Sequence, residues 1–274
     1  MKILVLFGGL LLYCVPCFSQ TDYSRIADSI QSEGLKLYFS EKASWEGTDL
    51  FRAQFPALQT RYGGYFSYTA RDTTWCVIIS NDEPACKLAT FVFSNGKTRP
   101  SSIDTYAGVL NQEEQVYLAL KIAAITSIRA DTFFHSYQRT ILNIVPIIDE
   151  QGKRVYVLTG TDASGVVILG NDYLMRYSAE DSLLSRDCLH RNIMAIPYKS
   201  DSSEVSAFHT HFSPTSEFMT VTDYCTLLLY SKLTTWKQHY VITKDAVSIL
   251  NVADGELMIL SRGVFDQIYG NKKP

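Results

Sequence analysis

The sequence predicts an α+β fold, with helices at both ends of a largely antiparallel sheet system. Two observations carry this. Apolar residues recur at helical spacing near both ends and once in the middle, while the segments between are short, rich in aromatic and β-branched residues, and separated by turn-forming Gly, Pro, Asn and Asp.

The first element is not read as part of the fold. Lys2 precedes an apolar run from Ile3 to Val15, which ends in Cys17-Phe18-Ser19-Gln20. This pattern predicts a secretory signal peptide over residues 1–19, cleaved after Ser19. A lipoprotein signal would need a small residue before the modified cysteine, whereas Cys14 follows Tyr13 and Cys17 follows Pro16. The apolar run is too short for a transmembrane anchor, and no later segment approaches spanning length. The expected address is periplasmic or secreted.

A helix is expected from Tyr23 to Lys42, with Ile26, Ile30, Leu35 and Tyr38 loosely at helical spacing, and a short second helix from Asp49 to Gln54 stopped by Pro56. Tyr65–Tyr68, Trp75–Ile79 and Lys87–Phe93 read as a three-stranded meander, with Arg71-Asp72 and Asn81–Pro84 as its turns. The polar stretch Lys97–Ser102 with Pro100 is the expected boundary between an N-terminal α+β subdomain (20–100) and a C-terminal α+β domain (101–274). Gln112 to Tyr137 predicts a mostly apolar, buried helix with Asn111 as N-cap and Glu113 and Glu114 in its first turn. Strands follow at Leu142–Ile148, Arg154–Gly160, Val166–Tyr177 and Ile193–Tyr198, with Ser178–Asp187 as a loop. Gly170-Asn171-Asp172 predicts a bulge or bend inside the longest of them. The chain then reads as a strand Glu204–Phe212, a helix Thr222–Trp236, a hairpin Gln238–Asn251 over Lys244-Asp245, and a closing strand and helix Glu256–Ile268.

Composition narrows the function. The formal net charge is −3, and loss of Lys2 with the signal peptide makes it −4. Without a basic field there is no counterion-release drive toward nucleic acid and no polybasic membrane contact. With 46% hydrophobic and 19% charged residues the chain is an ordinary globular protein. Four of its six cysteines, Cys76, Cys86, Cys188 and Cys225, lie beyond the signal peptide. In an oxidising compartment they could pair, Cys76 with Cys86 across a turn being the simplest choice, or remain buried thiols.

Chemistry is concentrated in one stretch, Ala207-Phe208-His209-Thr210-His211-Phe212 followed by Thr220-Val221-Thr222-Asp223 and an apolar helix. Histidines at i and i+2 on a strand share a face, so one cation could engage both, and Asp223 could complete three ligands with a fourth position left to water. Each residue has a rival role. Two strand histidines can form a half-buried polar face, and Thr-x-x-Asp is close to a capping box with Thr220 as N-cap. His239 could be an alternative ligand or a core histidine. His135 and His190 are lone histidines with no role assigned, and Cys225 reads as a core thiol.

The run His209-Thr210-His211, the helix start Thr220-Val221-Thr222-Asp223 and the strand Val241-Ile242-Thr243-Lys244-Asp245 resemble the JAMM (JAB/MPN) metalloprotease core over residues 205–250. Phe212 replaces that family's proline, Thr220 its serine, and the loop before Thr220 is one residue longer. The resemblance implies a JAB/MPN-like C-terminal part in which His209, His211 and Asp223 hold Zn2+. It also implies an upstream glutamate as general base, for which Glu150 is the candidate, although Asp149-Glu150-Gln151-Gly152 is equally a good exposed turn. Most of the mature chain also resembles a family of exported proteins from Bacteroidetes-type bacteria, through Gly170-Asn171-Asp172-Tyr173-Leu174 and Thr222-Asp223-Tyr224-Cys225, which implies export and no particular chemistry.

Two functions of different class follow. One is an exported zinc hydrolase cutting a peptide or amide bond. The other is a non-catalytic exported module that binds a peptide or envelope-associated ligand, its histidine pair being structural.

Overall fold

A computed structural model describes residues 21–105, 108–199, 206–212 and 216–270. The expected signal peptide therefore lies outside the described residues. The architecture is α+β, as the sequence predicts.

Helix α1 (Tyr23–Gln54) is continuous over 32 residues, where the sequence pattern suggested two helices. The pattern fails across Ala43–Thr48 because Ser, Gly and Thr are poor helix formers. Here Ser44 and Thr48 donate to the carbonyls of Ser40 and Ser44 at 3.0 and 2.8 Å, and Gly47 packs against the buried Cys76 side chain. Strands β1 (Tyr62–Ala70), β2 (Thr73–Ser80), β3 (Lys87–Ser94) and β4 (Ser102–Asp104) form an antiparallel sheet in that order. The polar stretch 97–102 thus leads into a fourth strand of the first sheet.

All four described cysteines are free. The hairpin register explains why Cys76 and Cys86 do not pair. Cys76 lies opposite Phe91 and faces α1, whereas Cys86 sits at the turn, where its amide donates to Ser80 Oγ at 3.0 Å.

Helix α2 (Gln112–Ala130) begins with the expected cap, Asn111 and Glu114 forming a reciprocal capping box. It ends at Asp131, earlier than periodicity implies, and buries one face only: Tyr117, Leu120 and Ala124 are covered while Ile122 is 53% exposed. A second antiparallel sheet has the order β5-β6-β8-β9, from β5 (Thr140–Asp149), β6 (Gly152–Thr161), β8 (Tyr173–Tyr177) and β9 (Leu183–Cys188). Strand β9 occupies sequence that reads as loop, its Leu183 and Leu184 lying exposed. The expected bend splits the run Val166–Tyr177. At Gly170 and Asn171, both with positive φ, β7 (Val166–Gly170) leaves this sheet to pair with β10 (Ile193–Pro197).

The last sheet has the order β11-β12-β13-β14, from β11 (Ser206–Thr210), β12 (Gln238–Ile242), β13 (Ala246–Asn251) and β14 (Leu257–Ser261). Strands β11 and β12 are parallel. A parallel pair needs a crossover, and α3 (Val221–Leu229) supplies it. It is shorter than predicted because the chain turns at Tyr230–Leu233 to re-enter the sheet. Helix α4 (Arg262–Tyr269) closes the fold. Among the described residues no helix is long and apolar enough to cross a membrane.

Helix α1 is the common spine. Its C-terminal half buries Ala43 and Phe51 against Ile78 and Phe91 of the first sheet, while Ala27 and Leu37 pack against Tyr224, Leu227, Cys225 and Leu229 of α3. Gly34 makes the second contact possible: a Cβ there would stand 2.4 Å from the Tyr224 ring. Full burial of Leu37 contributes roughly 1.5–3 kcal/mol, which helps α1 hold α3, and with it the residue in its first turn that faces the histidines.

Candidate metal centre

Strand period places His209 and His211 on one face. Both are buried, at 4% and 7% exposure, while Phe208 and Phe212 on the opposite face are largely exposed. His211 lies one residue beyond β11 and stays in register because its amide donates to Ile242 O at 3.2 Å. Asp223, fully buried, stands in the first turn of α3 facing the two imidazoles. A fourth group joins them that sequence reasoning had left without a role: His190, from the loop after β9. The ligand atoms of His190, His209, His211 and Asp223 all lie within 4.8 Å of one another.

Tetrahedral ligation with metal–donor bonds of about 2.0–2.2 Å has donor–donor edges of roughly 3.3–3.6 Å. The observed edges are 2.9 Å between the Nε2 atoms of His209 and His211 and 3.2 Å between those of His190 and His211. Asp223 Oδ1 lies 3.3 Å from His190 Nε2 and 3.6 Å from His209 Nε2, and its Oδ2 lies 3.3 Å from His190 Nε2 and 3.4 Å from His211 Nε2. This buried group could hold a metal ion.

Asp223 serves the capping role and the site together: Oδ2 caps the helix and also faces His190 and His211, while Oδ1 faces imidazoles alone. Its Oδ2 accepts from the Thr220 amide and hydroxyl at 2.9 and 2.8 Å, and Thr220 Oγ1 accepts in return from the Asp223 amide at 3.0 Å. Its Oδ1 is buried without a hydrogen-bond partner and faces His190 and His209. An orphaned buried carboxylate oxygen aimed at converging imidazoles is what an absent cation would satisfy.

No family model, curated protein or solved structure matches the chain. What the site can do follows from its own geometry.

The far side of each imidazole points the same way chemically. His211 Nδ1 lies 2.9 Å from the carbonyl oxygen of Phe218, which can only accept, so the proton sits on Nδ1 and Nε2 offers a lone pair to the cluster. His209 Nδ1 lies 2.8 Å from His239 Nε2, and His190 Nδ1 lies 3.5 Å from Asp172 Oδ2. Metal-ligating histidines commonly carry such a partner on the other ring nitrogen.

Charge distribution agrees. Burial alone would raise the Asp223 carboxyl, yet His190 and His209 hold it well below the usual range. Burial opposes a charge on His190, but Asp223 and Asp172 outweigh it and lift the imidazole to about 10. Burial, with the neighbouring imidazoles, pushes His211 down to about 4 and His239 to about 3. The side chains alone thus place a cationic His190 between Asp223 and Asp172, with His211 and His239 neutral.

Of the residues singled out in the sequence, His209, His211 and Asp223 come together and Glu150 does not join them. Glu150 lies exposed in the two-residue β5–β6 turn between Asp149 and Gly152, where the neighbouring Asp149 is engaged by Arg154 and Lys36. A cavity of about 300 Å³ opens onto the cluster, lined by His190, His209, His211 and Asp223 together with Leu169 and Met194, and Glu150 is not part of its wall. His239 stands behind His209, outside the four-donor group. His135 makes backbone contacts with Asn171 and Tyr173, and Cys225 is a core thiol.

Proposed function

We propose that the protein is an exported zinc-binding protein whose ion is held by His190, His209, His211 and Asp223. The observation that carries this is the convergence of four buried nitrogen and carboxylate donors whose ligand atoms all lie within 4.8 Å of one another, a donor set that suits zinc. Charge supports a dication. Among the described residues the buried Asp172 and Asp223 have no Lys or Arg ion-pair partner, and a 2+ ion would balance both. Elemental analysis of the purified protein tests it. Zinc near one per chain is expected for wild type, with loss in His211→Ala and His190→Ala; equal traces in all three would overturn it.

Four protein donors fill a tetrahedron, as in sites where the metal holds structure, and this favours a binding or structural module. Hydrolysis is the second reading, favoured by the cavity that leaves one side of the cluster open. The order strand β11, helix α3, strand β12, with His-x-His on the first and Asp223 at the helix start, supports a JAMM-like arrangement of residues 205–250. Bound there, zinc would supply Lewis acidity to an amide carbonyl. The chain must still offer a base. Glu217, which lines an adjoining cavity of about 760 Å³ together with His211, is the carboxylate to test beside Glu150. Turnover of peptide or amide substrates by zinc-loaded protein, lowered in Glu217→Gln, would support hydrolysis; no turnover with full zinc would leave the binding module.

A further inference from the structure

Gly170 and Asn171 are the one pair of consecutive residues with positive φ among the described residues, and the break they make lies beside His190. Gly170 and Asn171 have φ of +93° and +56°. A Cβ on Gly170 would stand 2.2 Å from the carbonyl oxygen of Asn192, so only glycine lets these segments approach. The approach is used at both ends of the His190 loop: the Asn171 amide donates to Asn192 O at 3.1 Å, and the Leu189 amide donates to Asp172 O at 2.8 Å. Asn171 itself is fully engaged. Its Nδ2 donates to His135 O and Thr159 Oγ1 at 2.9 and 3.0 Å, and its Oδ1 accepts from the Tyr173 hydroxyl at 2.7 Å.

The residue that this clasp presents is Asp172, 3% exposed. Its Oδ1 accepts from the Thr159 amide at 2.8 Å, and its Oδ2 faces His190 Nδ1 at 3.5 Å, an ion-pair distance at which the buried Nδ1 makes no hydrogen bond. The three cluster imidazoles are thus backed by three different groups: a carbonyl behind His211, an imidazole behind His209, a carboxylate behind His190. The carboxylate is the strongest acceptor of an Nδ1 proton and brings a second negative charge close to the cluster.

We infer that the Gly170-Asn171-Asp172 break is the positioning device for His190, with Asp172 as the outer carboxylate that fixes the ring with Nε2 toward the metal and strengthens it as a ligand. The inference rests on the proposed zinc site. Asp172 is a positioning residue, because it touches the ligand and not the ion.

The test is zinc affinity by chelator competition for wild type, Asp172→Asn and Gly170→Ala, with the visible spectrum of the Co2+-substituted protein. Asn keeps an acceptor for Thr159 but loses the charge, so metal-free thermal stability should change little while zinc affinity falls about 10- to 100-fold. The Co2+ bands should shift, as a merely structural role would not require. Gly170→Ala should weaken zinc as well, by pushing the Asn192 carbonyl and the His190 loop away. Tight zinc in wild type and equal affinity and spectra in Asp172→Asn would overturn the inference and leave the zinc site standing. No zinc in wild type would overturn the site itself. Should Asp172→Asn not fold, the ¹⁵N histidine spectrum of zinc-loaded wild type decides: a protonated Nδ1 on His190 supports the inference, and a protonated Nε2 overturns it.

Discussion

Replacing Asp223 by Asn separates the two tasks that its carboxylate performs. The capping oxygen accepts from Thr220 N and Oγ1, and an amide oxygen can take the same place, so α3 keeps its N-terminus. The other oxygen, buried and unpartnered, becomes an NH2 group that offers protons instead of a lone pair to the cluster. A ligand that saturates the native state at 100 times its Kd stabilises it by about 2.7 kcal/mol. For a chain of this size that corresponds to a rise in Tm of roughly 5–10 °C. Differential scanning fluorimetry with zinc or with EDTA reads both numbers. Wild type should show the rise. Asp223→Asn should lose it and fall to substoichiometric zinc. Thr220→Ala should instead lower Tm in both buffers, as expected for a lost N-cap of about 1 kcal/mol, and keep most of the zinc-dependent rise. A full zinc-induced shift in Asp223→Asn would refute the assignment of Oδ1 to the metal.

Zinc binding should release the His190 proton near pH 8, since the neighbouring carboxylates hold that imidazole at about 10 against its burial, while His211, at about 4, is already neutral. Titration calorimetry in buffers of different ionisation enthalpy counts that proton. Affinity should therefore climb with pH up to about 10, and a flat profile would contradict the charge arrangement. Glu150→Ala should leave zinc content unchanged, because that side chain is exposed in the β5–β6 turn. Burial pushes the Asp149 carboxyl up, but Arg154 and Lys36 hold it down at about 2. A depressed folded value means that its contribution, roughly 2 kcal/mol, is present above pH 4 and lost as pH falls toward 2. Acid unfolding of Asp149→Asn should show a shallower loss over that window. Gly34→Ala gains at most about 1 kcal/mol of helix propensity but forces a methyl into the Tyr224 ring, an overpacking cost of roughly 1–3 kcal/mol, so Tm should fall. The ring cannot retreat freely, because the Tyr224 hydroxyl donates to Gly255 O at 2.7 Å.

How much of this was legible in the sequence depends on how far apart the signals lie. The pair His209 and His211 and the cap at Thr220 are local patterns, and local patterns survive folding: strand period sets the shared face, and helix-start chemistry sets the first turn. The α+β class was legible for the same reason. The single helix α1 was not, because its Ser44, Gly47 and Thr48 are chosen for contacts with their own helix and with β2. Glu150 fits the spacing of a family motif, yet a two-residue turn leaves it in solvent. His190 was missed because nothing within several residues of it marks a ligand. Its signal lies about twenty residues upstream, at Gly170-Asn171-Asp172, where the sequence shows a bend but not what the bend holds.

That separation explains how the site can couple distant parts of the fold. His190 comes from the loop between β9 and β10, His209 from β11 and His211 from just beyond its end, and Asp223 from α3, which packs on α1. Asp223 Oδ1 and His190 Nδ1 in the cluster, and His239 Nδ1 behind it, are buried without hydrogen-bond partners. Such groups cost about 1–3 kcal/mol each when left buried and unsatisfied. A dication satisfies the oxygen directly and ties the β7–β10 pair, β11 and α3 to one point. Metal binding energy then becomes folding energy for the C-terminal half. Hydrogen exchange should show this as zinc-dependent protection spreading from β11 and the first turn of α3 to the His190 loop, with the first sheet, β1 to β4, unaffected. Protection confined to β11 and the first turn of α3 would mean that His190 is not a ligand, and that the three-ligand arrangement expected from the sequence is the one the protein uses.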